Sequence, residues 1–220
     1  MAERLDDMLR LNRLAQADDW WRAEKPVRRG YPASTQMELA AAGIDVYDAM
    51  LIPPALRTFE FAEIVLNNQI FRAKRHELEM LPQMHAALQA RLTTSDDPVR
   101  YHAILDEGAL LRSFGGEESL EQRRLLVDLG ELPNVTIQVI PFTAGLHPLF
   151  GQRIAILRFA DHEDEELVLE PTGAGDMYME FPDEVQRLRT DMDFLKTTAL
   201  SPEESARLIM ETKSSSLRKK

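Results

Sequence analysis

Between Tyr101 and Phe159 the chain reads YHAILDEGALLRSFGGEESLEQRRLLVDLGELPNVTIQVIPFTAGLHPLFGQRIAILRF, and this stretch narrows the possible folds more than any other. Tyr101 to Leu105 is short and apolar enough for a buried strand. It breaks at Asp106-Glu107 into a helical pattern that Gly115-Gly116 ends. From about Glu117 to Gly130, Leu120, Leu125, Leu126 and Leu129 recur at helical spacing with the charges on the other face, and Gly130 and Pro133 stop the run. Asn134 to Ile140 is a strand by its β-branched content, and PFTAGLHPLFG joins it to a further strand from Ile154 to Phe159. Strand, helix, helix, strand, loop, strand is a sheet with helices packed on it. The loop around His147 is its one irregular piece between buried strands.

The flanking segments extend this unit in both directions. A helix over Leu5 to Leu14 runs into Trp20-Trp21, and Pro26, Gly30 and Pro32 break the pattern. Two adjacent indoles are a large apolar surface, expected to anchor on the main body or to cover a partner, including a second copy in a homodimer. Ser34 and Thr35 are placed to cap a helix from Gln36 to Ala42. Ile44 to Ile52 reads as a strand or an irregular segment, and Pro53-Pro54 precedes an apolar helix carrying Phe59 to Leu66. A charged helix from about Phe71 to Ala90 is expected to be interrupted at Pro82. His76, His85 and His102 are too scattered for a metal set and read as surface or interface residues. After Phe159, Asp161 to Glu166 reads as an acidic turn. Leu167 to Glu170 and Met177 to Phe181 form a hairpin around a Gly-rich loop, with Gly173 and Gly175 in a plain turn rather than a phosphate cradle. A helix opens at Pro182 and runs to Leu200. Ser201-Pro202-Glu203-Glu204 starts the last one. The expected fold is α+β, a mixed, mostly antiparallel sheet with helices on it. Residues 1–33 form an N-terminal helix and linker, 34–212 one domain, and 213–220 a basic tail.

Composition excludes several classes of function. The absence of cysteine removes disulfides, thiolate nucleophiles and cysteine zinc sites, and fits a cytoplasmic protein. No apolar run reaches the length of a membrane span, and Glu3, Asp6 and Asp7 do not suit a signal peptide. A net charge of −11 repels a phosphate backbone, so direct nucleic-acid binding is not expected. There is no nucleophile elbow, metal pair, phosphate loop or dinucleotide fingerprint, and no cofactor or metal is expected.

Five segments carry a resemblance: Trp20-Trp21, IPPALRT at Ile52 to Thr58, LDEGALLRSFGG at Leu105 to Gly116, LPNVTIQVIPFTAGLHP at Leu132 to Pro148, and ALSPEESARLI at Ala199 to Ile209. In this order they resemble the C-terminal domain of unknown function of actinobacterial Xre-type, antitoxin-like helix-turn-helix transcriptional regulators. In that family a DNA-binding unit precedes the tryptophan pair, where this chain has only the helix Leu5 to Leu14. Pro53-Pro54 stands where the family has proline-glycine, and Leu167-Val168-Leu169-Glu170 where it often ends a strand in tyrosine-valine-glutamate. The resemblance implies a regulatory or sensing module that binds a small molecule or a partner protein.

The polar residues available for a site are few. His147, Asp106 and Glu170 are the candidates for acid-base chemistry. Arg112, Phe150, Arg153, Tyr178 and Glu180 are the candidates for holding a ligand. The cleft is expected between the loop Thr143 to Gly151 and the strands that end near Asp106 and Glu170, because strand ends are where such sheets leave a crevice. Two classes of function stay open: a non-enzymatic sensing module, and a biosynthetic enzyme using His147 with a carboxylate as general base and acid.

Overall fold

The computed structural model describes residues 31–67, 75–93, 97–111, 117–160, 162–172 and 175–212. The elements are α1 (Tyr31–Ala40), β1 (Gly43–Asp48), α2 (Phe59–Asn67), α3 (Arg75–Thr93), β2 (Arg100–Asp106), α4 (Glu107–Leu111), α5 (Glu117–Gly130), β3 (Val135–Ile140), β4 (Arg153–Phe159), β5 (His162–Thr172), β6 (Gly175–Met179), α6 (Pro182–Thr198) and α7 (Pro202–Glu211). Single 3-10 turns occupy Pro54–Leu56 and Phe142–Ala144. The strands form one six-stranded sheet in the order β3-β2-β1-β4-β5-β6. β1, β2 and β3 are parallel neighbours, while β4, β5 and β6 add on antiparallel. This is the α+β, mixed and mostly antiparallel sheet that the sequence implies.

Every residue of β1 is buried, as a central strand covered on both faces requires. On one face Ile44, Val46, Ala103, Leu105, Ile137, Val139 and Leu157 pack against Leu56, Phe61, Leu88, Leu92, Leu126 and Ile209. On the other, Tyr47, Ile104, Ile140, Ile156 and Val168 meet Val185, Leu188, Met192 and Leu195 of α6, together with Leu149. The outer edge of β3 is closed by the start of α7: Val139 N–H donates to Ser205 Oγ at 2.9 Å and Leu200 N–H to Val139 O at 3.0 Å. Ser201 and Glu204 form the capping box expected from their spacing. Among the described residues no helix is long and apolar enough to cross a membrane.

Several expectations are corrected. α1 starts at Tyr31, so Ser34 and Thr35 lie inside it, buried, and do not cap it. Pro32 falls in its first turn, where a missing N–H costs nothing. α3 runs on through Pro82, which faces solvent while Met80, Leu81, Met84, Leu88 and Leu92 hold the helix to the core. His162 to Glu166 is not a turn but the start of β5. Glu166 is neutralised there by Arg189 at 2.9 Å and Arg158 at 3.6 Å. His85 and His102 are not surface residues: His85 is buried with Nε2 2.6 Å from Arg57 O, and the half-buried His102 lies 2.7 Å from Gln138 Oε1. The helix Leu5 to Leu14, Trp20-Trp21, the Phe71 end of the charged helix, the His76 side chain, Arg112, Gly115-Gly116, Gly173 and the tail 213–220 lie outside the described residues.

Candidate functional site

β1, β2 and β3 all end at the same edge of the sheet, and the loop from Pro141 to Gln152 returns across that edge into β4. Alternation along β1 sends Tyr47 to the face covered by α6, beside Ile104 of β2. Asp106 ends β2 on that face. Its Oδ1 accepts the Gly108 N–H at 2.8 Å, holding the carboxylate over the start of α4. The loop is secured to α4 through Phe142 N–H, which donates to Glu107 Oε2 at 2.8 Å, and to the core through buried Leu149. His147 is thereby laid onto the end of Tyr47.

Three side chains converge. The Tyr47 hydroxyl is 3.4 Å from Asp106 Oδ2 and 3.3 Å from His147 Nε2, and the His147 and Asp106 atoms are themselves 4.0 Å apart. Burial, reinforced by the neighbouring Asp106 charge, pushes the Tyr47 pKa far above its usual value, so the phenol keeps its proton. That proton goes to the carboxylate, the stronger acceptor. The phenol oxygen then accepts from His147 Nε2–H. Burial lowers the His147 pKa and Asp106 opposes it, with a net downward shift that leaves the ring neutral at pH 7. Nδ1 is left as the bare lone pair of this tautomer, buried and without a hydrogen-bond partner.

The cover over this imidazole is apolar and open to solvent. Phe150 meets the ring edge-on with centroids 5.9 Å apart, and Tyr47 does so from below at 5.3 Å. Phe150 is 61% exposed, Phe142 59% and Leu146 84%. Three large apolar side chains are thus exposed on this one loop, with Phe150 in contact with the His147 ring. Gly145 and Gly151 bracket the segment with φ of 72° and 78°, conformations that a side chain would strain.

Of the residues nominated from sequence, His147, Asp106 and Phe150 are brought together. Glu170 is not. Its strand lies two places from β1, so although Glu170 shares the Tyr47 face, its backbone is about 10 Å from that of Tyr47 by strand spacing. Arg153 and Tyr178 point to the opposite face, where Arg153 Nε lies 3.3 Å from Asp48 Oδ2. Glu180 follows β6 and stands four residues, roughly 13 Å, beyond Asp176 at the site edge. Tyr47 was not among the nominated residues. Its signal was present in the alternation of Asp45 and Tyr47 against Ile44 and Val46. Among the described residues no group of three or more His, Asp or Glu is arranged to hold a metal ion.

Fold and site together define an α+β domain with a buried, hydrogen-bonded histidine–tyrosine–aspartate cluster at the carboxyl ends of its parallel strands. The chain belongs to the family described as Domain of unknown function (DUF5753), whose model matches residues 31–211. No curated protein and no solved structure matches it.

Proposed function

We propose that the domain is a sensing module that binds one small, largely apolar molecule carrying a hydroxyl or N–H donor, with the donor on His147 Nδ1 and the apolar body against Phe142, Leu146 and Phe150. The observation that carries this reading is the unpartnered Nδ1 of a neutral, buried imidazole in contact with the exposed Phe150, on a loop that also exposes Phe142 and Leu146. A buried acceptor without a donor costs free energy in the empty domain, and a ligand donor would recover it. Phe150 covers the ring with its side chain while its backbone N–H holds His147 O at 3.1 Å, so a rotation of that side chain opens the path without moving the loop. The resemblance to Xre-type regulators supports a cytoplasmic, regulatory setting in which ligand occupancy is passed to a DNA-binding or protein partner. The test is ligand-observed NMR with p-cresol and its methyl ether. Saturable binding of p-cresol, absent for the ether and lost in His147→Ala, is expected. Equal binding of both compounds, or binding unchanged by His147→Ala, would refute it.

A second reading has its own observation. Tyr47 connects Asp106 to His147, and a carboxylate–phenol–imidazole chain is equipped to take a proton at Nδ1 and stabilise the resulting cation. In an enzyme of this kind His147 is the general base and Asp106 acts through Tyr47. Turnover of a bound carbon acid, read as solvent deuterium exchange that His147→Ala abolishes, separates this reading from simple binding.

A further inference from the structure

The two outer strands of the sheet end differently. The edge of β3 is closed by Ser205 and Leu200 at the start of α7, whereas β6 is paired with β5 alone. Among the described residues, no hydrogen bond other than the ladder to β5 reaches the backbone of residues 176–179. In an antiparallel edge strand the N–H and C=O of alternate residues point outward, so β6 keeps one unfilled ladder.

Its side chains combine exposed apolar surface with negative charge. Met177 is 49% exposed and Tyr178 38%, and they stand on opposite faces: Met177 pairs with Glu170 and shares the α6 side with Met179, while Tyr178 pairs with Leu169 on the side of α1. The exposed Phe181 extends the apolar strip past the end of the strand. Asp176 lies on the Tyr178 side, where burial, and after it the Asp176 charge, push the Tyr178 pKa up to about 12. Glu180 directly follows the strand. Among the described residues neither Asp176, Glu180 nor Glu170 has an ion-pair partner. The open ladder fits a strand, and the charge decides which. A second copy of β6 would bring its own Asp176 and Glu180 to the same carboxylates, and like charges directly opposite one another are destabilising. A basic strand meets them with opposite charge and, at the alternate positions, covers Met177 and Met179 with apolar side chains.

We propose that β6 is a docking edge for an extended segment of a partner protein, with basic residues opposite Asp176 and Glu180 bracketing apolar residues opposite Met177 and Met179. The segment adds to the six-stranded sheet as one further strand. Main-chain hydrogen bonds hold it, and the two carboxylates select its charge. The edge is separate from the His147 site, since β6 lies three places from β1, about 14 Å by strand spacing.

The probe is the peptide acetyl-Thr-Lys-Val-Thr-Val-Lys-Thr-amide, whose palindromic sequence offers the same row of side chains in either strand direction. One control carries Glu for both Lys. A second carries Pro-Pro for the central Thr-Val, which keeps the charge and removes two consecutive N–H groups. The readout is the backbone amides of residues 176–179 in the full chain at low salt. The Lys peptide is expected to shift them saturably, and both controls to leave them in place. Glu180→Lys, a change outside the strand, should weaken binding at least tenfold, and Asp176→Asn should weaken it likewise if Glu180→Lys does not fold. His147→Ala should preserve binding, so that this proposal and the one for His147 stand or fall separately. No saturable shift at these amides, an equal response to either control, or an affinity unchanged in the folded Glu180 or Asp176 variant would overturn the proposal. So would a β6 edge already filled by a second copy, seen as a dimer whose dissociation on dilution shifts the same amides.

Discussion

Asp45→Asn tests how the face that carries Tyr47 is held together. Asp45 lies two residues before Tyr47 on the same face of β1. Its carboxylate takes both Arg158 terminal nitrogens at 2.9 Å and Lys196 Nζ at 2.8 Å, fastening β1 to β4 and to α6. Burial by itself raises its pKa, but the Arg158 fork and Lys196 outweigh that and bring it from 3.8 to about 2. A drop of that size corresponds to about 2.5 kcal/mol of folding stability. A depressed carboxylate contributes its stability above the unfolded-state pKa and loses it as pH falls through the folded one. The contribution is therefore complete at pH 7 and disappears between about pH 4 and about pH 2. The asparagine variant should lose about 2 to 4 kcal/mol at pH 7, the excess reflecting two cations left short of a partner. The excess stays small because Arg158 keeps Glu166 at 3.6 Å and Lys196 keeps Asp193 at 3.0 Å. Urea unfolding of both proteins across this pH range measures the gap. A loss below about 1 kcal/mol at pH 7, or a gap that does not narrow on acidification, would refute this reasoning.

Three further outcomes are expected. Ser205→Ala leaves the Val139 N–H buried without an acceptor and should cost about 1 to 3 kcal/mol in urea unfolding, with amide exchange at Val139 accelerated. Gly43→Ala places a Cβ 2.9 Å from Arg158 Nε, so the thermal midpoint should fall as the Arg158 fork is pushed off Asp45. Phe150→Ala rehydrates the His147 ring, whose pKa is depressed chiefly by burial; NMR titration should show that pKa moving up, with less than about 1 kcal/mol of stability lost because Phe150 is mostly exposed.

What was legible in the sequence was local chemistry. The β-branched run Val135 to Ile140, the amphipathic α5 and the Ser201 capping box each state their own conformation, and all three are found. Pairing order is not local. β4 inserts between β1 and β5, a long-range choice, and it alone moves Glu170 away from Asp106 and His147. Tyr47 was hidden for a related reason: the alternation of Asp45 and Tyr47 against Ile44 and Val46 marks a shared face, but only strand pairing and the returning loop bring Asp106 and His147 to that face. The acidic stretch from His162 reads as a turn until Arg189 and Arg158 are seen beside Glu166. The ion pair of Asp48 with Arg153 likewise joins β1 to β4, which only the folded sheet brings into register.

The central claim is that His147 is a neutral imidazole offering Nδ1 to a ligand donor. A two-bond proton–nitrogen correlation spectrum of the ¹⁵N-histidine-labelled protein at pH 7, recorded with and without p-cresol, tests it most directly. The account predicts a ring protonated on Nε2 only, with a bare-nitrogen signal at Nδ1 that moves towards the hydrogen-bonded position when p-cresol is added and stays in place with its methyl ether. A doubly protonated ring at pH 7, a proton resident on Nδ1, or an Nδ1 signal indifferent to p-cresol would contradict it.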